Sequence, residues 1–371
     1  MTPAHYRLIR DQMKLDLFGK DAFRGVTLSY TWLANQFGHF ALGLIPTAIG
    51  YSILGGPNKG NETNLLAYSP TIGVWLLWFV FEFLNFTRTI SVRRKDPIGV
   101  KNAKKTFYDP RKWHFRADWF TDLCFFALGG VAAIFLFTQH LYVVFICIMF
   151  LIVLFYQFKY WYPAKIYLQR ALYPFQYRLS QWTSYMSDEN KNRINEFMES
   201  DAPKHLMVFG ENDDEKIRMC VGIGSETSYQ LKKCRYITAM KLFECFYRET
   251  SEENGLSDAH SWNWLAAQLL IIDDINPSAC NIPNIISTQE FYSNLVAKNA
   301  ERNKTTLINK KVIWVLGDED RGKEEKEWKA LLKEIGVHES NIITINLSDN
   351  NAAPYKPAKT LREEYGYRTQ S

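Results

Sequence analysis

Apolar residues fall along this chain in two different patterns, and the change comes near residue 165. Before it, four stretches are apolar for long enough to cross a bilayer, which takes about 20 largely apolar residues. They run over 32–54, 68–86, 119–138 and 141–162. The fourth is an unbroken run around VVFICIMFLIVLFYQF, whereas the first contains Asn35, His39 and Pro46. One such stretch could be a buried core helix. Four in series predict membrane-spanning helices. From 164 to about 198, Ile166, Leu168, Leu172, Phe175, Leu179 and Trp182 fall on roughly one face. That predicts an amphipathic helix, interrupted at Pro174, lying along a membrane surface or packing a soluble domain against one.

The second pattern is alternation of short apolar runs with helical segments. Strands are predicted at 205–209, 234–238, 268–273, 311–316 and 342–347, and helices at 217–231, 239–248, 288–300 and 324–336. Continuous apolar strands alternating with helices predict a parallel sheet covered on both faces, with right-handed crossovers. The expected plan is an N-terminal segment (1–30), a four-helix membrane domain (31–163) with a basic loop (87–117), and an amphipathic linker (164–200). An α/β domain (201–350) and a polar, Pro-containing tail (351–371) follow. The Asp188–Asn190 cluster marks the change into the soluble half.

Charge orients this plan. Arg7, Arg10, Lys14, Lys20 and Arg24 precede the first span. Arg88, Arg93, Arg94, Lys95, Lys101, Lys104, Lys105, Arg111, Lys112 and Arg116 lie between the second and third. The other two links hold only Lys59, and Lys165, Arg170 and Arg178 return after the fourth span. Positive residues stay on the cytoplasmic side, so both termini, the basic loop and the α/β half are expected there. The net charge of +5 is small and local, which argues against nucleic acid as a partner. The basic loop has a bland role available, setting topology and touching anionic lipid at about 1 kcal/mol per Lys or Arg. Six scattered cysteines with no paired spacing argue against a disulfide framework or a zinc site and fit a reducing compartment. The polar, basic first thirty residues do not read as a cleavable signal.

Ionisable groups inside spans are costly, so His39, Glu82, Asp118 and Asp122 are candidate membrane residues. Two readings stand. They form a polar seam or ion path, or Glu82 pairs with a neighbour such as His39 while Asp118 and Asp122 sit at the interface near Arg116.

In the α/β half, the run 205–209 ends on Gly210, and Lys216 follows six residues later. This is the outline of a phosphate-binding loop, strand–G-x-x-x-x-G-K-[ST]–helix. The third strand reads QLLIIDDINP, four apolar residues leading into Asp273 and Asp274. That is the pattern of a Walker B strand, whose first carboxylate holds Mg²⁺ and whose second orients water. The alternative is a buried strand that ends in an acidic turn.

The run MVFGENDDEKIRMCVGIGSETSYQLKKCRYITAMKLFE resembles the start of insertion-sequence transposition helper ATPases and bacterial helicase loaders of the AAA+ class. The resemblance covers 200–347. It implies Gly210, Lys216 and Asp273 as nucleotide-binding residues, with Asp273 also the Mg²⁺ ligand and Asp273 with Asp274 the catalytic pair. Gly224 and Glu226 fall on the helix, Arg235 to Ala239 on the second strand and its exit, and Gly317-Asp318 at the sensor position. Two positions depart from the motif: Glu215 stands for the second glycine, and Ile217 for the hydroxyl residue that meets Mg²⁺. Asp213, Asp214 and Glu215 would face a triphosphate as like charges, each costing about 1–4 kcal/mol at 4 Å. ATP with Mg²⁺ is therefore the only cofactor the sequence raises, and the loop argues against it. Gly222-Ile223-Gly224-Ser225 is expected to serve helix packing, and no nucleophilic triad stands out around Cys245 or Cys280.

The resulting expectation is a bacterial cytoplasmic-membrane protein with an AAA+-like pseudo-ATPase domain, acting as a non-enzymatic scaffold or sensor. Its partners would be the bilayer and other protein copies or an active ATPase. The alternatives are an active ATPase using Lys216, Asp273 and Asp274, and a membrane effector, for example in antiphage defence, whose cytoplasmic domain controls the spans.

Overall fold

The computed structural model describes residues 3–18, 27–57, 64–92, 112–182, 186–210, 212–248, 262–275, 286–317 and 321–347. The chain divides into two compact units, 1–166 and 167–371. The expected tail 351–371, most of the basic loop, Cys280 and Asp318 lie outside the described residues.

The first unit is helical, with α1 (Pro3–Phe18), α2 (Leu28–Leu54), α3 (Ser69–Val92), α4 (Lys112–Thr138) and α5 (Leu141–Arg170). Four helices, Leu28–Leu54, Leu65–Asn85, Arg116–Thr138 and Leu141–Arg170, are long and apolar enough to cross a membrane. Thr27 caps α2 by accepting from the Tyr30 N–H. The contacts of α2 with α4 advance together from Gln36–Asp122 through Gly43–Phe126 to Tyr51–Phe137, so the two helices pack in parallel. They meet backbone to backbone. A Cβ on Gly43 would run into the Phe126 carbonyl, and one on Gly129 into the Phe40 carbonyl. Small residues at such a crossing let helices gain van der Waals contact where lipid removes the hydrophobic drive. The Trp78 indole of α3 donates to the Leu42 carbonyl of α2 at 3.0 Å.

The N-terminal segment, expected only as a polar stretch, forms α1 and buries Leu8, Gln12 and Asp16. The Asp16 carboxylate accepts from Gln12 (2.8 Å), Thr27 (2.9 Å), Ser29 (2.6 Å) and Tyr162 (2.7 Å). One buried carboxylate thereby ties α1 to α2 and α5.

In the second unit, α6 (Asp188–Glu199) leads into β1 (His205–Phe209), and α7 (Asp213–Tyr229), β2 (Cys234–Thr238) and α8 (Ala239–Tyr247) follow. Then come β3 (Leu269–Asp273), α9 (Thr288–Ala297), α10 (Ala300–Ile308), β4 (Lys311–Val315), α11 (Arg321–Glu334) and β5 (Ile342–Asn346). All pairings are parallel and the strand order is β2-β3-β4-β1-β5. The strands are buried over most of their length, as their continuous apolar runs require. One core gathers Phe243, Phe246, Trp264, Phe291, Trp314 and Trp328, whose rings meet edge-on or tilted at 5.3–6.1 Å.

The region expected as one interrupted amphipathic helix is different. Helix α5 runs on to Arg170, an irregular stretch begins at Ala171 and spans Pro174, a 3₁₀ turn follows at Leu179–Gln181, and α6 starts at Asp188. Proline removes an amide donor and disfavours helix in the residue before it, so helix does not resume at once. Residues 171–182 instead strap onto the α/β unit. The Ala171 carbonyl accepts from the Tyr236 amide on the edge strand β2 at 2.9 Å. Gly222 abuts Leu179 and Gly224 abuts Tyr173, so these glycines do serve helix packing. Arg178 forks onto Glu226 with two bonds of 3.1 Å. At the opposite edge, Asn190 and Arg193 of α6 donate to the Asn346 and Thr344 carbonyls of β5. Both sheet edges are thus covered, which removes a template for stray pairing.

Candidate functional site

In an open parallel sheet, ligands bind beyond the carboxyl ends of the strands, where successive connections leave in opposite directions. Here β1 connects by α7 to β2 at one edge, and β4 connects by α11 to β5 at the other. Their ends are neighbours, so the crevice lies between β1 and β4. Gly210, Lys216, Leu316, Asp273 and Asp274 all belong to this end of the sheet.

The stretch after β1 is not an open loop. Helix α7 begins at Asp213, four residues earlier than expected, because Asn212 caps it by accepting from the Glu215 N–H at 3.2 Å. Asp213, Asp214 and Glu215 then occupy the first turn, where negative side chains suit the helix dipole. The acids that looked like a fault in a phosphate loop are a favourable helix start. They also fill with negative charge the helix end that would attract a phosphate.

Lys216 is the centre of the site and is 1 % exposed. Its Nζ donates to the Leu316 carbonyl at 2.6 Å, just past β4, and meets the Asp213 carboxylate at 2.8 Å. Its stem lies across Gly210: a Cβ there would stand 3.6 Å from Lys216 Cγ and 3.1 Å from Leu347 Cβ. The lysine is thus engaged within its own crevice.

Asp273 ends β3 and is buried. The Tyr236 hydroxyl of β2 donates to its Oδ2. Burial pushes the Asp273 carboxyl up to about 6, against the lowering effect of Tyr236, with the charges of Asp274 and Asp213 adding to the rise. Asp274 follows in the left-handed region (φ 53°), which asparagine and aspartate tolerate better than most residues. Burial and then the Asp213 charge raise its carboxyl as well. The structure therefore brings together Gly210, Lys216, Asp273 and Asp274, makes Asp213 the partner of Lys216, and adds Tyr236 and the Leu316 carbonyl. Asp213 was legible in principle, since it stands three residues before Lys216 on one helix. Tyr236 and Leu316 arrive from distant strands and carry no local signal.

These donors do not fit a magnesium–nucleotide. Ile217 offers no oxygen, the lysine already has two partners, Asp273 holds a phenol, and three carboxylates line the helix start. Among the described residues no group of three or more His, Cys, Asp or Glu side chains is placed to hold a metal ion.

In the first unit, His39 meets Asp122 rather than Glu82, the neighbour named in one of the two readings. His39 Nε2 lies 3.4 Å from Asp122 Oδ1, and Gln36 Nε2 donates to the same oxygen at 3.3 Å. Asn35 Nδ2 stands 3.0 Å from His39 Nε2. Asp122 is thus inside the bundle rather than at its interface, whereas Asp118 is exposed and Glu82 half-buried. The reason is helical phase: positions 36 and 39 of α2 share the face turned to α4.

No protein-family model matches the chain, and neither does any curated protein.

Proposed function

We propose that the chain is a membrane-anchored, AAA+-like pseudo-ATPase that serves as a non-enzymatic scaffold or sensor. The observation that carries this reading is Lys216. The one cation a phosphate loop needs is held by Asp213 and the Leu316 carbonyl, beneath a helix start made of three acids. Displacing it would break a buried ion pair and bring a triphosphate against like charge. The AAA+-like part of the reading draws on the motif resemblance and on the order β2-β3-β4-β1-β5. That order sets one strand, β4, between the lysine-bearing crevice and the Asp273–Asp274 turn.

The four apolar helices anchor the protein in a bacterial cytoplasmic membrane, with both termini and the α/β unit on the cytoplasmic side, by the distribution of Lys and Arg. Self-assembly, or assembly with an active ATPase, is the natural use of a nucleotide-domain fold without turnover. Full-length protein in detergent, given Mg²⁺-ATP, is expected to show neither saturable binding up to millimolar nucleotide nor turnover. Turnover that disappears in both Lys216→Ala and Asp273→Ala would replace this reading with an active ATPase. Native mass measurement is expected to find species larger than the monomer, and isolated monomers alone would remove the scaffold. A membrane-effector reading draws on a separate observation, the Gln36–His39–Asp122 cluster.

A further inference from the structure

Helix α2 is amphipathic the wrong way round for a protein in water. Its buried residues are Ser29, Trp32, Gln36, Gly43, Thr47 and Tyr51, whereas Leu42, Ile45, Ile49 and Ile53 are exposed. The interior stripe therefore consists largely of small and polar side chains, and its chemistry is concentrated at one place. Gln36 and Asp122 stand about 12 and about 15 Å along α2 and α4, at about 1.5 Å per residue, measured from the ends at which both parallel helices begin.

That cluster is incompletely satisfied. Gln36 is 3 % exposed, and while its Nε2 donates to Asp122, its Oε1 finds no partner among the described residues. His39 Nδ1 likewise has none, whichever tautomer the ring adopts. A buried polar atom left without a partner costs about 1–3 kcal/mol. Both stand beside a carboxylate and an imidazole, so the polar chemistry of the stripe gathers at one point. A metal ion would need more oxygen ligands than one carboxylate and one amide supply. A proton needs only two basic atoms within reach, and His39 Nε2 and Asp122 Oδ1 are 3.4 Å apart. The other acids acting on Asp122 are Asp118, one turn earlier on α4, and Glu82 on α3.

On the far side the seam is closed. Gly43 and Gly129 bring the two backbones into direct contact. The Phe126 ring meets His39 edge-on at 4.7 Å and stacks on Trp78 at 4.8 Å. Beyond this plug the next polar groups are Thr47 and the hydrogen-bonded Tyr51 and Thr71.

We propose that Gln36, His39 and Asp122 form a proton-binding site within the helical bundle, placed toward the side on which α2 and α4 begin and closed to the other. Binding adds one proton from that side to the His39–Asp122 pair, and release returns it to the same side. No bond other than those to the proton changes. The site is independent of any nucleotide chemistry in the α/β unit.

The test is infrared difference spectroscopy of the full chain in lipid vesicles stepped between pH 8 and pH 5. An Asp122-dependent carboxyl signal is expected, absent in Asp122→Asn and retained in Glu82→Gln and Asp118→Asn. Its midpoint should move by about one pH unit or more in His39→Phe, the size expected when a charged neighbour is removed. Elution profile and helicity report whether each variant folds. If Asp122→Asn does not fold, Asp122→Glu takes its place, and its carboxyl band must shift from that of the wild type. Spectra unchanged by the Asp122 variant, or a midpoint unmoved in His39→Phe, overturn the site. In vesicles loaded with a pH-sensitive dye, wild-type proton leak is expected to stay within about twofold of protein-free vesicles. A leak tenfold or more above that level, lost in Asp122→Asn, overturns the closed side.

Discussion

The two units of this chain are built on opposite rules. In the α/β unit, Met207, Ile271, Ile313 and Trp314 are buried, and the charged side chains mostly ring the surface. In the helical unit Ile45, Ile49, Leu77, Leu84, Leu151 and Ile152 are exposed, while Asp16, Ser29, Gln36, Thr47 and Thr121 are buried. Neither arrangement is a defect of the other. Water rewards burial of apolar surface, so the sheet unit keeps it inside. Hydrocarbon does not, so helices there associate through close packing and internal hydrogen bonds. A polar residue therefore signals the exterior in one unit and the interior in the other. Polarity alone locates nothing until the solvent is known.

The largest test of this contrast sets opposite substitutions against each other. Trp314→Ala empties the aromatic core beside Phe291 and Trp328, and should cost the α/β unit about 3–5 kcal/mol in denaturant unfolding. In the helical unit it is an added side chain that does the damage. Gly129→Leu would drive a side chain into the Phe40 carbonyl of α2, and should cost about 3 kcal/mol, read as lost thermal stability and aggregation in detergent. A Gly129→Leu protein as stable as wild type would mean that α2 and α4 do not pack as described.

A sharper version uses one substitution at two sites of similar exposure. Ile49 on α2 is 54 % exposed and Met240 on α8 is 61 %. Changing Ile49 to Asp should cost membrane insertion about 3 kcal/mol. Met240→Asp should stay within about 0.5 kcal/mol. Equal, small effects on membrane recovery and unfolding would show that the surface of α2 faces water.

The next effect is confined to the α/β unit. His205 is buried on β1 and accepts from the Trp314 indole at 3.1 Å, and burial holds its imidazole down to about 4. Between its ordinary 6.5 and about 4 the unfolded chain binds a proton that the folded chain does not. Stability is therefore full above pH 6.5 and falls as pH drops through that window, by roughly 3 kcal/mol. Asp273 acts in the opposite sense from its ordinary 3.8 to about 6, where the folded chain holds the extra proton. His205→Gln should flatten the loss on acidification, and Asp273→Asn should steepen it, both read from denaturant midpoints between pH 7 and pH 4. Identical acid profiles in the wild type and His205→Gln would remove His205 from this account.

Much of the fold was legible because it depends on neighbours in sequence. Strands β1 and β2 fall where the apolar runs place them, and the other three end within one residue of expectation. The start of α7 was misread because a phosphate-loop template outweighed a plain local signal, an Asn cap followed by three acids. The candidate site was half legible: Lys216 and Asp273 stand in motifs, whereas Tyr236 and the Leu316 carbonyl come from strands far away in the chain. Asp16 gave no warning at all, since its donors Thr27, Ser29 and Tyr162 are brought to it only by packing.

The chain's own order of residues settles which segments are apolar enough for lipid and which alternate as strand and helix, because hydrophobic period and capping act over a few residues. It also fixes the Asn cap and the three acids, Asp213, Asp214 and Glu215, that start α7. What only the folded structure decides is which partner each buried charge meets: Asp213 and Leu316 for Lys216, Tyr236 for Asp273, Gln36 and His39 for Asp122. Those choices follow from strand order and helix phase, which bring together groups that no short stretch of sequence contains.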